Sequence, residues 1–80
     1  MRFLRLYFRV DCHLCDTMLS QLNELQNGNR FSLELIDVDQ DTATRMHYNA
    51  RVPVLETAEG ECLSEYFLDE NRLLSYLDGN

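Results

Sequence analysis

The chain contains no lysine: its 7 basic residues are all arginine, set against 14 aspartates and glutamates for a formal charge of -7. Such a surface repels a phosphate backbone or an anionic bilayer, so nucleic acid and membrane are not expected partners. No stretch approaches the roughly 20 apolar residues that span a bilayer. The opening MRFLRLYFRV breaks its apolar residues with arginines, unlike the unbroken core of a secretory signal, so a cytoplasmic protein is expected. With 1 proline and 3 glycines beside 45% hydrophobic residues, the composition excludes a disordered chain. The 3 cysteines, two close together and one distant, are not the even framework of a disulfide-stapled secreted domain. A chain of 80 residues encloses one core, so residues 1–80 are expected to form a single domain, and a monomer.

What is present reads as short alternating elements, with no internal repeat and no linker. Phe3 to Phe8 alternates, with Leu4, Leu6 and Phe8 on one side and Phe3, Arg5 and Tyr7 on the other, which predicts a strand apolar on both faces and therefore central. Leu14, Met18, Leu22 and Leu25 recur at helical spacing, and Gly28 follows as a left-handed cap, predicting a helix over 12–27. A second strand runs from Phe31 through Val38, and the aspartates of DVDQD suit the start of a short helix over 40–48, weakly amphipathic through Ala43 and Met46. Val52 to Thr57 and Glu61 to Ser64 flank the hairpin signal AEG, and Leu68 to Leu77 closes the chain as an amphipathic helix. The expected fold class is α/β, in the order strand, helix, strand, helix, strand, strand, helix. The first helix is long enough to cross between parallel strands, and the hairpin adds antiparallel ones, which makes a mixed four-stranded sheet.

The stretch DCHLCDTML places Cys12 and Cys15 three residues apart where the first helix begins. A thiol at a helix start meets unpaired N–H groups and the positive end of the dipole, both of which favour its thiolate, so Cys12 is the expected nucleophile. Cys15, one turn further, can attack a mixed disulfide on Cys12 and serves as the resolving thiol. Asp11 and Asp16 oppose the thiolate, whereas Arg9 and a protonated His13 favour it, so His13 is a candidate tuning residue. Two other readings stand beside this one. The pair can be buried filler, or half of a zinc site completed from Cys62, His13 and His47, although none of these forms a second knuckle. No resident metal or cofactor is expected. Cys62 is expected to fill the core and His47 to be structural, while Tyr66 and Phe67 are expected in core or staple contacts. Arg51, directly before Val52 and Pro53, is either a solvated cation or a clamp for a substrate carboxylate, and the same holds for Arg9.

The whole chain resembles the glutaredoxin-like branch of the thioredoxin fold, through YFRVDCHLC at the end of the first strand and RVPVL before the third. It is most similar to a group of small bacterial glutaredoxin-like proteins. The resemblance implies a thiol–disulfide oxidoreductase acting on a disulfide-containing protein or a small thiol, with glutathione or a thioredoxin reductase as reductant. A docking module of the same fold with little turnover is the alternative. It also implies that Arg9 matches a basic residue of dithiol glutaredoxins, that Pro53 is a cis-proline, and that the backbone of Val52 pairs with substrate. Two departures qualify it. His13 and Leu14 replace the usual Pro-Tyr, and Ser64, Glu65 and Tyr66 stand where a Gly-Gly pair normally opens the backbone to glutathione. Glutathione is therefore expected to bind weakly as co-substrate, with Glu65 as the obstruction.

Overall fold

The computed structural model describes residues 2–26 and 31–79, so the NGN punctuation and the Gly28 cap lie outside the described residues. Four strands form one mixed sheet in the order β2-β1-β3-β4, from β1 (Arg2–Phe8), β2 (Phe31–Asp37), β3 (Val54–Thr57) and β4 (Cys62–Glu65). β1 runs parallel to β2 and antiparallel to β3, and β3 is antiparallel to β4. The central position expected for β1 follows from its two apolar faces. Leu4 and Leu6, both at 0% exposure, face one side, and Tyr7 faces the other.

Helix α1 (His13–Gln26) makes the crossover to β2 and buries Cys15, Met18 and Leu22. Met18 and Leu22 join Leu4, Leu6, Phe31, Leu55, Leu63 and, from α3 (Glu70–Leu77), Leu73 in the main core. Fully burying an aliphatic side chain is worth about 1.5 to 3 kcal/mol, so this cluster is the main stabiliser of the sheet and its two helices. The opposite face carries a smaller cluster of Val38, Tyr48 and Val54, with Tyr7, Val52 and Cys62 packed on it. Helix α2 (Thr42–Tyr48) supplies Tyr48. Its apolar anchor is not the expected one: Ala43 and Met46 are exposed, and Tyr48 alone is buried. Tyr48 stacks on Tyr7 with ring centroids 4.0 Å apart and donates its hydroxyl to the buried Glu56 carboxylate at 2.8 Å.

Most element ends shift by one or two residues from the expectation, for local reasons. β2 stops at Asp37, whose carboxylate accepts the Asp39 N–H at 2.9 Å and opens a single 3-10 turn, Val38–Gln40. α2 then begins at Thr42 rather than residue 40, because Asp41 caps it through the Thr44 N–H at 3.0 Å. That bond holds the Asp41 carboxyl below its ordinary range. β3 begins at Val54, after Pro53, which has no N–H for the ladder. α3 begins at Glu70, after the cap Asp69, leaving Leu68 ahead of the helix. The hairpin signal AEG does turn β3 into β4, with Gly60 at φ +94° and the Thr57 hydroxyl accepting N–H groups from Glu59 and Glu61. Among the described residues no helix is long and apolar enough to cross a membrane.

Candidate functional site

The dithiol and the Val52–Pro53 segment arrive at one end of the sheet. The antiparallel register pairs Tyr7 with Val54. The segment leaving β1 after Phe8 and the Val52–Pro53 segment entering β3 therefore lie side by side. Beyond β1 the chain reverses at Val10 and Asp11, and Asp11 takes the left-handed conformation at φ 62°. Aspartate is one of the few residues besides glycine that visit this region readily. The turn delivers Cys12 to the N-cap position of α1, one residue before the helical residues begin. Its carbonyl accepts the Asp16 N–H at 3.1 Å, and its Sγ lies 3.2 Å from the backbone nitrogen of Cys15. The sulfur thus occupies the place that a serine or aspartate oxygen takes in an ordinary helix cap.

Cys12 and Cys15 are joined as a disulfide, with Cα atoms 5.2 Å apart. The two sulfurs are not equivalent. Cys12 is half-buried, whereas Cys15 is 3% exposed beside Leu6, Phe8, Leu19 and Leu35 on the main-core face. An incoming sulfur meets Cys12 first. Cys62 packs on the other face of the sheet, with its Sγ 3.6 Å from the Ser64 carbonyl. The zinc reading therefore loses its best third ligand, and among the described residues no group of three His, Cys, Asp or Glu side chains converges on a metal position.

The other expected site residues divide. His13, Asp11 and Asp16 are exposed around the dithiol. The Val52–Pro53 peptide is cis, and Pro53 is buried while its carbonyl accepts the Tyr66 N–H at 2.9 Å. Among the described residues nothing bonds the main chain of Val52. Arg9 has partners other than the substrate carboxylate expected for it. Its Nε and Nη2 grip both oxygens of Asp39 at 2.9 and 3.1 Å, and its Nη2 and Nη1 donate to the Asn49 side chain and carbonyl at 2.7 and 3.3 Å. The guanidinium ties the exit of β1 to the 3-10 turn and the end of α2. Arg51 is likewise paired within the protein: its Nη2 and Nε meet Glu65 Oε2 at 2.8 and 2.9 Å, and its fork lies over the Tyr48 ring. This ion pair, with its hydrogen bond, raises the Arg51 pKa above the ordinary value.

Tyr66 and Phe67 also depart from the expectation of core contacts. They are 40% and 71% exposed. With Leu68 they form one wall of a cleft of about 100 Å³ whose other wall is α1 at Leu14, Thr17 and Gln21. Tyr66 is held at φ 65°, a costly conformation for a bulky residue. Two bonds offset that cost: its N–H to the Pro53 carbonyl, and its hydroxyl to the Ala50 carbonyl at 2.8 Å. A single tyrosine thereby brackets the Val52–Pro53 segment from both sides.

A family model described as "Glutaredoxin-like domain (DUF836)" matches residues 3–78. The chain belongs to this glutaredoxin-like family. It is similar to the protein Ne2328 from Nitrosomonas europaea, solved in solution, at 41% identity over 94% of this chain and 89% of that one, with a TM-score of 0.82. Protein XcR50 from X. campestris, solved by X-ray diffraction, is 35% identical over 96% of this chain and 97% of that one, with a TM-score of 0.75. A malarial protein at 18% identity and a TM-score of 0.69 shares the fold alone. None of the curated proteins is similar to the chain at a significant level. The glutaredoxin-like domain has a thioredoxin-like fold and carries its Cys12–Cys15 pair within disulfide reach, which gives it the capacity for thiol redox chemistry.

Proposed function

We propose that this glutaredoxin-like domain is a thiol–disulfide oxidoreductase. In the reduced protein the Cys12 thiolate attacks one sulfur of a substrate disulfide. A mixed disulfide forms on Cys12, and the first substrate thiolate leaves and takes a proton from water. Cys15 then loses its proton and attacks the Cys12 sulfur, forming the Cys12–Cys15 disulfide and releasing the second substrate thiol. The substrate gains two electrons and the protein loses two, which an external thiol reductant restores: glutathione or a thioredoxin reductase, in a reducing cytoplasm. The observation that carries this reading is the position of the Cys12 sulfur, half-buried at the N-cap and 3.2 Å from the Cys15 nitrogen, with Cys15 buried behind it. Support also comes from Val52, whose unbonded main chain can pair with an extended substrate, and from His13, whose positive charge favours the thiolate when it is protonated.

Steady reduction of a protein disulfide, with dithiothreitol as electron source, tests the proposal. Turnover disappears in Cys12→Ser, and Cys15→Ser accumulates a mixed disulfide detectable by mass. Absence of turnover in the unaltered protein assigns the domain to docking rather than exchange.

A further inference from the structure

We propose that the disulfide reduced here belongs to a cationic polypeptide segment with an apolar side chain beside its half-cystine, rather than to glutathione. This rests on the exchange reading above and adds the chemistry of the substrate. Arg9 and Arg51, the two arginines read as clamps, are both occupied: Arg9 by Asp39 and Asn49, and Arg51 by Glu65. A substrate carboxylate that docks on either must first displace a resident carboxylate, in a geometry already bidentate at Asp39. Glutathione carries two carboxylates and a net negative charge.

The carboxylates around the dithiol, by contrast, are open. Asp11 and Asp16 flank it, both exposed and, among the described residues, without an ion-pair partner. Even a protonated His13 leaves this turn net negative. Together with the formal -7 of the whole chain, the local field attracts a cationic segment and slows an anionic one.

The shape selects a side chain. Val10, in the turn before the dithiol, and Phe67, on the wall of the cleft opposite Leu14, are 62% and 71% exposed, and that cleft has a volume of about 100 Å³. That is room for one apolar side chain, not for a tripeptide. Val52 offers unbonded main-chain groups to an extended strand, whose apolar residue the cleft can take.

Single-turnover oxidation of the reduced protein separates the possibilities without a reductant. Four disulfides are compared at low salt: two Phe-flanked peptides, one with arginines and one with glutamates near the cysteine and each capped by mercaptoethanol, then oxidised glutathione, then bis(2-hydroxyethyl) disulfide. The arginine peptide is expected to react about fivefold to tenfold faster than its glutamate twin, with the ratio shrinking as salt is added. In an Asp11→Asn, Asp16→Asn variant the ratio falls towards one. Asparagine keeps the left-handed turn at residue 11 accessible. Against a fifth disulfide, the same arginine peptide with glycine in place of phenylalanine, Phe67→Ser lowers the advantage of the Phe-flanked one. Equal rates for the twin peptides, or oxidised glutathione reacting fastest, overturn the substrate class while leaving the exchange reading intact. Failure of all four disulfides, including the neutral one, overturns both.

Discussion

The backbone nitrogen of Cys15 lies 3.2 Å from the sulfur of Cys12, so the first turn of α1 turns a donor towards the sulfur of its own cap. When the pair is reduced, the same donor and the helix terminus favour the charged form of Cys12. Cys15 is buried and has no such help. Alkylation of the reduced protein with iodoacetamide at mildly acidic pH is expected to label Cys12 at least about tenfold faster than Cys15, as read by peptide mass. Equal labelling would remove the distinction between nucleophile and resolving thiol.

Cys62 should take no part in this chemistry. It packs with the Val38, Tyr48 and Val54 cluster, across the sheet from Cys15. A bridge between Cys62 and either member of the dithiol would have to pass through the sheet. Oxidised protein unfolded in the presence of a thiol label should therefore carry one label, on Cys62. A labelled Cys12 or Cys15 would contradict the arrangement.

Arg9 is expected to act on stability. Its fork makes two bonds to Asp39 and two to Asn49, joining three chain segments. Partial exposure weakens each of these, yet the bidentate geometry is the favourable case for a surface pair. Arg9→Ala should lower unfolding stability by about 1 to 2 kcal/mol. Arg9→Lys should recover less than half of the loss, because an ammonium cannot reproduce the fork. Urea titrations followed by circular dichroism give both values.

Glutathione binding is expected to be weak and to depend on the Arg51–Glu65 pair. Glu65, expected from the sequence to obstruct glutathione, also occupies Arg51 at 2.8 Å. Glu65→Gln releases the guanidinium and removes the competing carboxylate. The expected result is a gain in glutathione affinity of up to about fivefold, the scale of one exposed pair. Chemical-shift titration of the reduced protein, followed at Val52, measures it. An unchanged affinity would show that glutathione docks away from Arg51.

Tyr48 sets an alkaline limit. Burial, and then its contacts with Tyr7 and Glu56, raise the phenol above its ordinary value of 10.0. In the unfolded chain the phenol loses its proton near that ordinary value, while the folded chain still holds it. The stability that Tyr48 contributes is therefore complete below about pH 10 and declines as pH rises towards its higher folded value. Tyr48→Phe should remove this part of the decline, which pH-dependent melting can resolve. It should also cost about 1 to 3 kcal/mol near neutrality, because the buried Glu56 loses its 2.8 Å hydroxyl partner.

The dithiol, the element order and the central place of β1 were legible because each is written locally, and the Val52–Pro53 segment was legible through the family resemblance. Two cysteines three apart at a helix start and an alternation with both faces apolar need no knowledge of distant residues. What could not be read was how the charges are shared out. Asp39 lies 30 residues from Arg9, and Glu65 lies 14 from Arg51. Arginine beside a reactive site reads as a ligand clamp until its internal partner is known. The anchor of α2 was missed for another reason. A helix of 7 residues has too few turns for a periodicity to emerge, and its one anchor, Tyr48, sits at the last position. The role of Tyr66 was hidden because its left-handed backbone and its bonds to Pro53 and Ala50 leave no pattern in the sequence.

The placement of β1 between two neighbours, with Leu4 and Leu6 wholly enclosed, has a consequence for hydrogen exchange. Its amides are paired on both sides and should exchange only when the whole molecule opens. The chain leaves that ladder at Phe8, and the turn at Val10 and Asp11 lies outside it. The Cys12 sulfur therefore sits at the rim of the slowest-exchanging part of the protein, on the turn that leaves the ladder, while Cys15 is packed within α1. Making and breaking bonds at Cys12 then draws on none of the protection of the core, and a domain of this size can be reactive at one end without loosening at its centre.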